Sequence, residues 1–173
     1  MNRPIPTHLL HWIDARRHLL RPPVGNQAIW DDGDFMVTVV GGPNAREDFH
    51  INEGEEIFYQ LEGDIVLRLL HEGDRIEDLP IRQGEIYLLR PRIPHSPQRP
   101  SGTIGLVIER KRQPGELDGF VWLCRQCGQR LYEEFLAVTS IVTDLPPVFA
   151  RFYGNPAHCT CTRCGTVATP RGG

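Results

Sequence analysis

No run of about 18 consecutive apolar residues occurs in the 173-residue chain, so no segment has the length and apolarity of a membrane-spanning helix. The first twenty residues carry His8, His11, Asp14, Arg16 and Arg17 among their apolar positions and lack the uninterrupted apolar core of a secretory signal. The expected location is an intracellular, reducing compartment, the cytoplasm. Lysine is almost missing: of 19 basic residues only Lys111 is a lysine. With arginine so common, a single one carries weight only where its position supports it. An excess of positive charge is missing as well. The 22 acidic residues leave a formal charge of −3, which speaks against a polyanion binder with a basic face. No internal repeat or low-complexity tract stands out.

Turn formers are what the chain has in plenty. Its 17 glycines and 15 prolines predict many short elements and no long helices. The apolar and charged fractions are those of an ordinary globular chain, long enough to bury one real core. Apolar residues at 9, 12, 13, 19 and 20 make a helical stripe over His8–Leu20, stopped by Arg21-Pro22-Pro23. Asn26–Trp30 reads as a short strand. From Phe35 to Arg112 β-rich runs (35–40, 56–61, 65–70, 85–89 and 105–109) alternate with turns such as Glu62-Gly63-Asp64 and Glu72-Gly73-Asp74. The fold class predicted is mainly β, an antiparallel sandwich or barrel. Gln113-Pro-Gly115 marks a boundary between a barrel with its N-terminal helix (1–113) and an extension (114–173) packed on it as one compact domain. Residues 167–173 form a small polar tail, expected to fray.

Two stretches concentrate chemistry. One runs from Arg46 through His50 and Glu56 to Gly63; the other runs from Gly84 through a proline-rich turn to His95 and Arg99. Two imidazoles and one carboxylate form the facial triad of non-haem Fe(II) oxygenases and leave coordination positions for substrate and O₂. His50, Glu56 and His95 are therefore candidate metal ligands. Glu55, one residue off, should face the other way. Strand parity puts Arg46 and Asp48 on the face of His50, Arg99 on that of His95, and Val107 with Glu109. Pro97 would confine its strand to a sheet edge. Two arginines near one metal suggest an anionic ligand, because the guanidinium fork matches a carboxylate. His8, His11, His18, His71 and His158 lack such a context and are expected to be structural.

All five cysteines lie beyond the boundary. Cys124-Arg-Gln-Cys127-Gly128 and Cys161-Thr-Arg-Cys164-Gly165 are two knuckles able to supply a tetrahedral four-thiolate site for Zn or Fe. With no open coordination position, such a site is structural. Cys159 is left over.

The two motif stretches resemble those of the cupin superfamily: His50, Glu56 and Gly63 at the first motif's spacing, Gly84, the proline turn and His95 at the second's. Asn52 stands where a second histidine is usual, and Arg99 where asparagine is. Together with Val39–Asn44, His95–Pro100, Val107–Arg110 and Ile141–Pro147, they make the chain from Trp12 to Cys164 similar to the bacterial 3-hydroxyanthranilate 3,4-dioxygenase family. The resemblance implies a cytoplasmic, homodimeric cupin barrel using Fe(II) at His50, Glu56 and His95, with a rubredoxin-like iron site at Cys124, Cys127, Cys161 and Cys164. It implies that Arg46 lies beside the O₂ and substrate site, that Arg99 holds the substrate carboxylate, and that Glu109 faces its amino and hydroxyl groups. The implied product, 2-amino-3-carboxymuconate semialdehyde, closes to quinolinate, a precursor of NAD within the kynurenine route of tryptophan breakdown. Another cupin dioxygenase acting on an aminophenol, catechol or thiol, a sugar isomerase, and a non-enzymatic metal-binding cupin are the alternatives. The set Arg46, Arg99 and Glu109 argues against the other enzymes, and the net charge against a nucleic-acid-binding cupin.

Overall fold

Alternation along Glu56–Glu62 shows how the strands arise. Glu56, Phe58 and Gln60 are buried on one face, while Ile57 and Tyr59 are half-buried on the other. The chain is described by a computed structural model over residues 6–22, 25–30, 32–139 and 141–170; Pro23 of the helix stop and residues 171–173 of the tail lie outside them. Its elements are α1 (Leu9–Arg16), β1 (Asn26–Trp30), β2 (Phe35–Gly41), β3 (Asn44–Ala45), β4 (Asp48–Ile51), β5 (Glu56–Glu62), β6 (Ile65–His71), β7 (Arg75–Ile81), β8 (Ile86–Leu89), β9 (His95–Arg99), β10 (Ile104–Arg110), β11 (Asp118–Leu123), β12 (Arg130–Leu136), α2 (Ile141–Tyr153) and α3 (Pro156–Cys159). Helix α1 tightens into a 3₁₀ turn over Arg17–Leu19, so the helical stripe ends before the proline pair.

Two antiparallel sheets face each other. One has the order β1-β2-β10-β5-β8; the other has the order β12-β11-β4-β9-β6-β7, with β3 beside β9. This is the mainly β, antiparallel architecture expected, with its N-terminal helix and a cysteine cluster near the C-terminus. Phe58, Ile65, Leu67, Leu69, Ile81 and Leu89 form one core cluster. Truncating Phe58 to alanine there costs about 3–5 kcal/mol. A second cluster joins Ile13 and Leu20 to Val39, Ile104 and Leu106. In a third, Val148 and Phe152 of α2 pack on Phe120 and Trp122 of β11.

Three features depart from local sequence signals. Pro97 lies in an interior strand rather than at an edge, since β9 runs between β4 and β6. It stands opposite the break between β3 and β4: pairing on that flank stops at Ala45↔Gln98 and resumes at His50↔His95. Helix α2 contains Pro146 and Pro147, although a proline pair argues against a helix interior. Burial of Val148 and Phe152 offsets the missing hydrogen bonds. Finally, after the Gln113–Gly115 turn the chain returns to the sheet, with β11 pairing with β4 so that Phe120 stands opposite His50.

Candidate metal centre and active-site cavity

His50 of β4 and His95 of β9 are register partners in one sheet, and Glu56 reaches them from the first position of β5 in the other. Their ligand-capable atoms all lie within 4.8 Å of one another. His50 Nδ1 is 3.9 Å from Glu56 Oε1, and His95 Nε2 is 3.4 Å from Glu56 Oε2. The other ring nitrogens are tied down: His50 Nε2 donates to Asp118 Oδ2 at 2.6 Å, and His95 Nδ1 donates to the Ile93 carbonyl at 3.1 Å. Both acceptors lack a proton to give, so these two nitrogens carry hydrogens, and His50 Nδ1 and His95 Nε2 are the ring atoms left facing Glu56. Two anchored imidazoles and a carboxylate, nearly dry, fit a divalent metal of the iron type. Burial raises the Glu56 pKa, but the adjacent His95 and His50 outweigh it and hold the carboxyl down at about 2. Glu55 points away and pairs with the exposed Arg90 at 2.6 Å.

Strand parity builds the cavity around this cluster, a space of about 110 Å³. On β5 and β10 the inward residues meet in successive cross-strand pairs: Glu56 with Glu109, Phe58 with Val107, and Gln60 with Gly105. Facing them, β9 contributes His95, Pro97 and Arg99 from alternate positions. The cavity thus has a metal-ligating end, an apolar middle of Phe58, Val107 and Pro97, and a cationic end at Arg99. Arg46 and Glu109 also line it, with Asn26, Thr38 and Asn44, while Val138 and Leu145 close over it from the C-terminal part of the chain.

A hydrogen-bonded network surrounds the cluster. Asn52, at the position of the missing histidine, donates to Glu109 Oε2 at 2.8 Å and to Glu56 Oε1 at 3.2 Å. Arg112 bridges Glu109 at 2.8 Å and Asp118 at 2.7 Å. Burial, and then the charge of Glu56, push Glu109 up to about 7 against the pull of Arg112. Arg46, in the gap between β3 and β4 and so outside the strand that parity assumed, makes a two-pronged pair with Asp48 and lines the cavity with His50. Sequence reasoning missed Asp118 and Arg112. Their only signal is the long-range pairing of β11 with β4, which no local pattern announces.

The second cluster is Cys124, Cys127, Cys161 and Cys164, whose sulfurs also lie within 4.8 Å of one another. Cys124 and Cys164 sulfurs are 3.5 Å apart, as are those of Cys127 and Cys161. Four thiolates at about 2.3 Å from one ion would stand at nearly that spacing. The two knuckles have matching backbones: Cys124 N–H bonds the Gln129 carbonyl and Cys161 N–H the Thr166 carbonyl, with Gly128 and Gly165 at φ of 72° and 75°. Cys159 is not a member. It is buried against Phe152 and Trp122, with its thiol toward the Tyr153 carbonyl.

A family model described as 3-hydroxyanthranilic acid dioxygenase matches residues 1–153. A 3-hydroxyanthranilate 3,4-dioxygenase of Xanthomonas euvesicatoria pv. vesicatoria is 56% identical over 160 residues, spanning 92% of this chain and 90% of that one. A protein of the same name from Jannaschia sp. is 55% identical over 157 residues, spanning 90% and 87%. Among solved structures, a cupin-2 domain containing protein from Shewanella frigidimarina matches with a TM-score of 0.48 at 15% identity, over 57% of this chain and 92% of that one.

Proposed function

The chain belongs to the 3-hydroxyanthranilic acid dioxygenase family, and on that premise we propose that its cavity binds 3-hydroxyanthranilate for O₂-dependent ring opening. The product is 2-amino-3-carboxymuconate semialdehyde, which cyclises to quinolinate and so feeds NAD synthesis. One observation carries the substrate assignment. Arg99 is 3% exposed, its Nε has no partner among the described residues, and burial pushes its guanidinium down to about 10 with no carboxylate among them opposing the shift. A buried cation without a counter-ion is costly, and the cavity that it lines is where an anion can reach it. The carboxylate of 3-hydroxyanthranilate is that anion.

His50, Glu56 and His95 would hold Fe(II). Bound there, Fe(II) supplies the redox chemistry that lets O₂ react with an electron-rich ring. The chain's own residues do the rest. Arg99 pairs with the carboxylate and fixes the ring's direction. Phe58, Val107 and Pro97 flank the ring and exclude water. The amine and hydroxyl then point toward the histidine–glutamate end, where Glu109 accepts the proton of the hydroxyl. Arg46 offers positive charge where negative charge develops. Asn52 and Arg112 hold the Glu109 carboxylate in place. The four-cysteine cluster would hold Fe or Zn in a structural role. A cytoplasmic homodimer belongs to the same proposal; the exposed Trp30 and Phe35, at the end of β1 and the start of β2, are apolar surface that a second copy would cover.

The test compares 3-hydroxyanthranilate with 2-aminophenol, which keeps the amine and hydroxyl but lacks the carboxylate. Removing one partner of a desolvated charge pair costs about 2–5 kcal/mol. Arg99→Ala should therefore lower kcat/KM for 3-hydroxyanthranilate roughly 30-fold or more, with far less effect on 2-aminophenol and none on iron content. Equal losses on both compounds would remove the carboxylate assignment and favour a dioxygenase of uncharged aminophenols or catechols.

A further inference from the structure

Gln60 is polar, 1% exposed and placed in a strand whose other inward residues are Glu56 and Phe58. It is not among the described residues that line the cavity, and it contacts Arg99, which does. Its amide is satisfied at both ends: Nε2 donates to the Glu62 carbonyl at 2.9 Å, and Oε1 accepts from Arg99 at 3.2 Å. The Glu62 carbonyl can only accept, so it fixes which end of the amide faces Arg99. The backbone around Gln60 is pinned too, with its N–H on the Glu85 carbonyl and its carbonyl on the Gly84 N–H. Across the strand stands Gly105. A Cβ there would come within 2.6 Å of Gln60 Oε1 and 3.0 Å of the Arg99 guanidinium. The pair occupies space that only a glycine leaves free.

A neutral acceptor is well suited to this place. A carboxylate there would compete with a ligand carboxylate for the guanidinium and weaken its hold on one. An apolar residue would leave the buried donor unpaired and its direction unset. An amide oxygen holds one N–H and keeps the positive charge available. We propose that Gln60 is a positioning residue that aims the Arg99 guanidinium into the cavity uncompensated, and thereby sets the preference for a carboxylate-bearing ring. The inference rests on the reading of Arg99 as the carboxylate partner.

The experiment measures kcat and KM of the Fe(II)-loaded protein for 3-hydroxyanthranilate and 2-aminophenol in the parent, Gln60→Met, Gln60→Glu and Arg99→Ala. A hydrogen bond to a charged group is worth a factor of roughly 10 to 100. Gln60→Met should raise KM for 3-hydroxyanthranilate by about that factor while kcat and both constants for 2-aminophenol stay within about threefold. Gln60→Glu keeps the size of the amide and carries the same test where the thioether variant does not fold; its KM increase should be at least as large. A general structural role would depress both substrates and kcat together, and that result, or an unchanged KM for 3-hydroxyanthranilate, overturns the inference. If Arg99→Ala discriminates between the compounds and the Gln60 variants do not, the role of Gln60 alone fails. If Arg99→Ala does not discriminate, the carboxylate reading fails first.

Discussion

Asp118 Oδ2 lies 2.6 Å from His50 Nε2, joined across the pairing of β11 with β4. The carboxylate also receives Arg112, so it is held from both sides while it orients the imidazole. Loss of such an outer partner typically costs 10- to 100-fold in metal affinity. Asp118→Asn should weaken Fe(II) or Co(II) binding at the barrel site by roughly that factor, read by titrating the chelator-treated protein. Unchanged affinity would show that the His50 ring is oriented by other contacts, such as its stacking on Phe120 at 5.2 Å.

Replacing His50, Glu56 or His95 with alanine should each remove the barrel metal and activity, while the metal of the four-cysteine cluster remains. Metal analysis has to resolve the two sites, because the four thiolates would hold an ion of their own. Full turnover by any of the three variants would refute the ligand assignment.

Glu109→Gln keeps the shape of the side chain and its contact with Asn52, but removes the proton acceptor. General-base contributions run to about 10²–10⁴ in rate, so kcat should fall within that range at unchanged iron content. The pair of observations matters: a variant short of iron points to a structural role for Glu109, whereas an iron-replete variant with normal kcat shows that the proton goes elsewhere.

Cys124→Ser or Cys164→Ser removes one of four thiolates that would close a coordination sphere, and the binding energy of such an ion is folding energy. Both should lower thermal stability and soluble yield, and the purified fraction should still turn over. A variant with parental stability and intact barrel iron but no activity would instead assign the cluster a part in the chemistry.

The sites divide by how far apart in the sequence their parts lie. His50, Glu56 and His95 are legible from the residue types and spacing of two motif stretches, and Asp48 with His50 and Val107 with Glu109 from the alternation of faces along a strand. The cysteine knuckles are legible for the same local reason. Asp118 and Arg112 are not, since their roles exist only once β11 has returned to pair with β4. Gln60 looks like an ordinary strand residue until Arg99 arrives from the opposite sheet. Pro97 and the Pro146–Pro147 pair mislead for a different reason. Proline rules describe isolated strands and helices, whereas here a break in the neighbouring ladder and burial on β11 decide the outcome.

The most direct test of the proposed activity is stoichiometric. Chelator-treated protein, reloaded anaerobically with Fe(II), is mixed with 3-hydroxyanthranilate in aerated buffer while O₂ uptake and products are followed. One O₂ should disappear per substrate molecule, with both oxygen atoms in the ring-opened product and quinolinate accumulating afterwards. Absence of O₂ uptake by protein with a filled barrel site, or hydroxylation without ring opening, would contradict it.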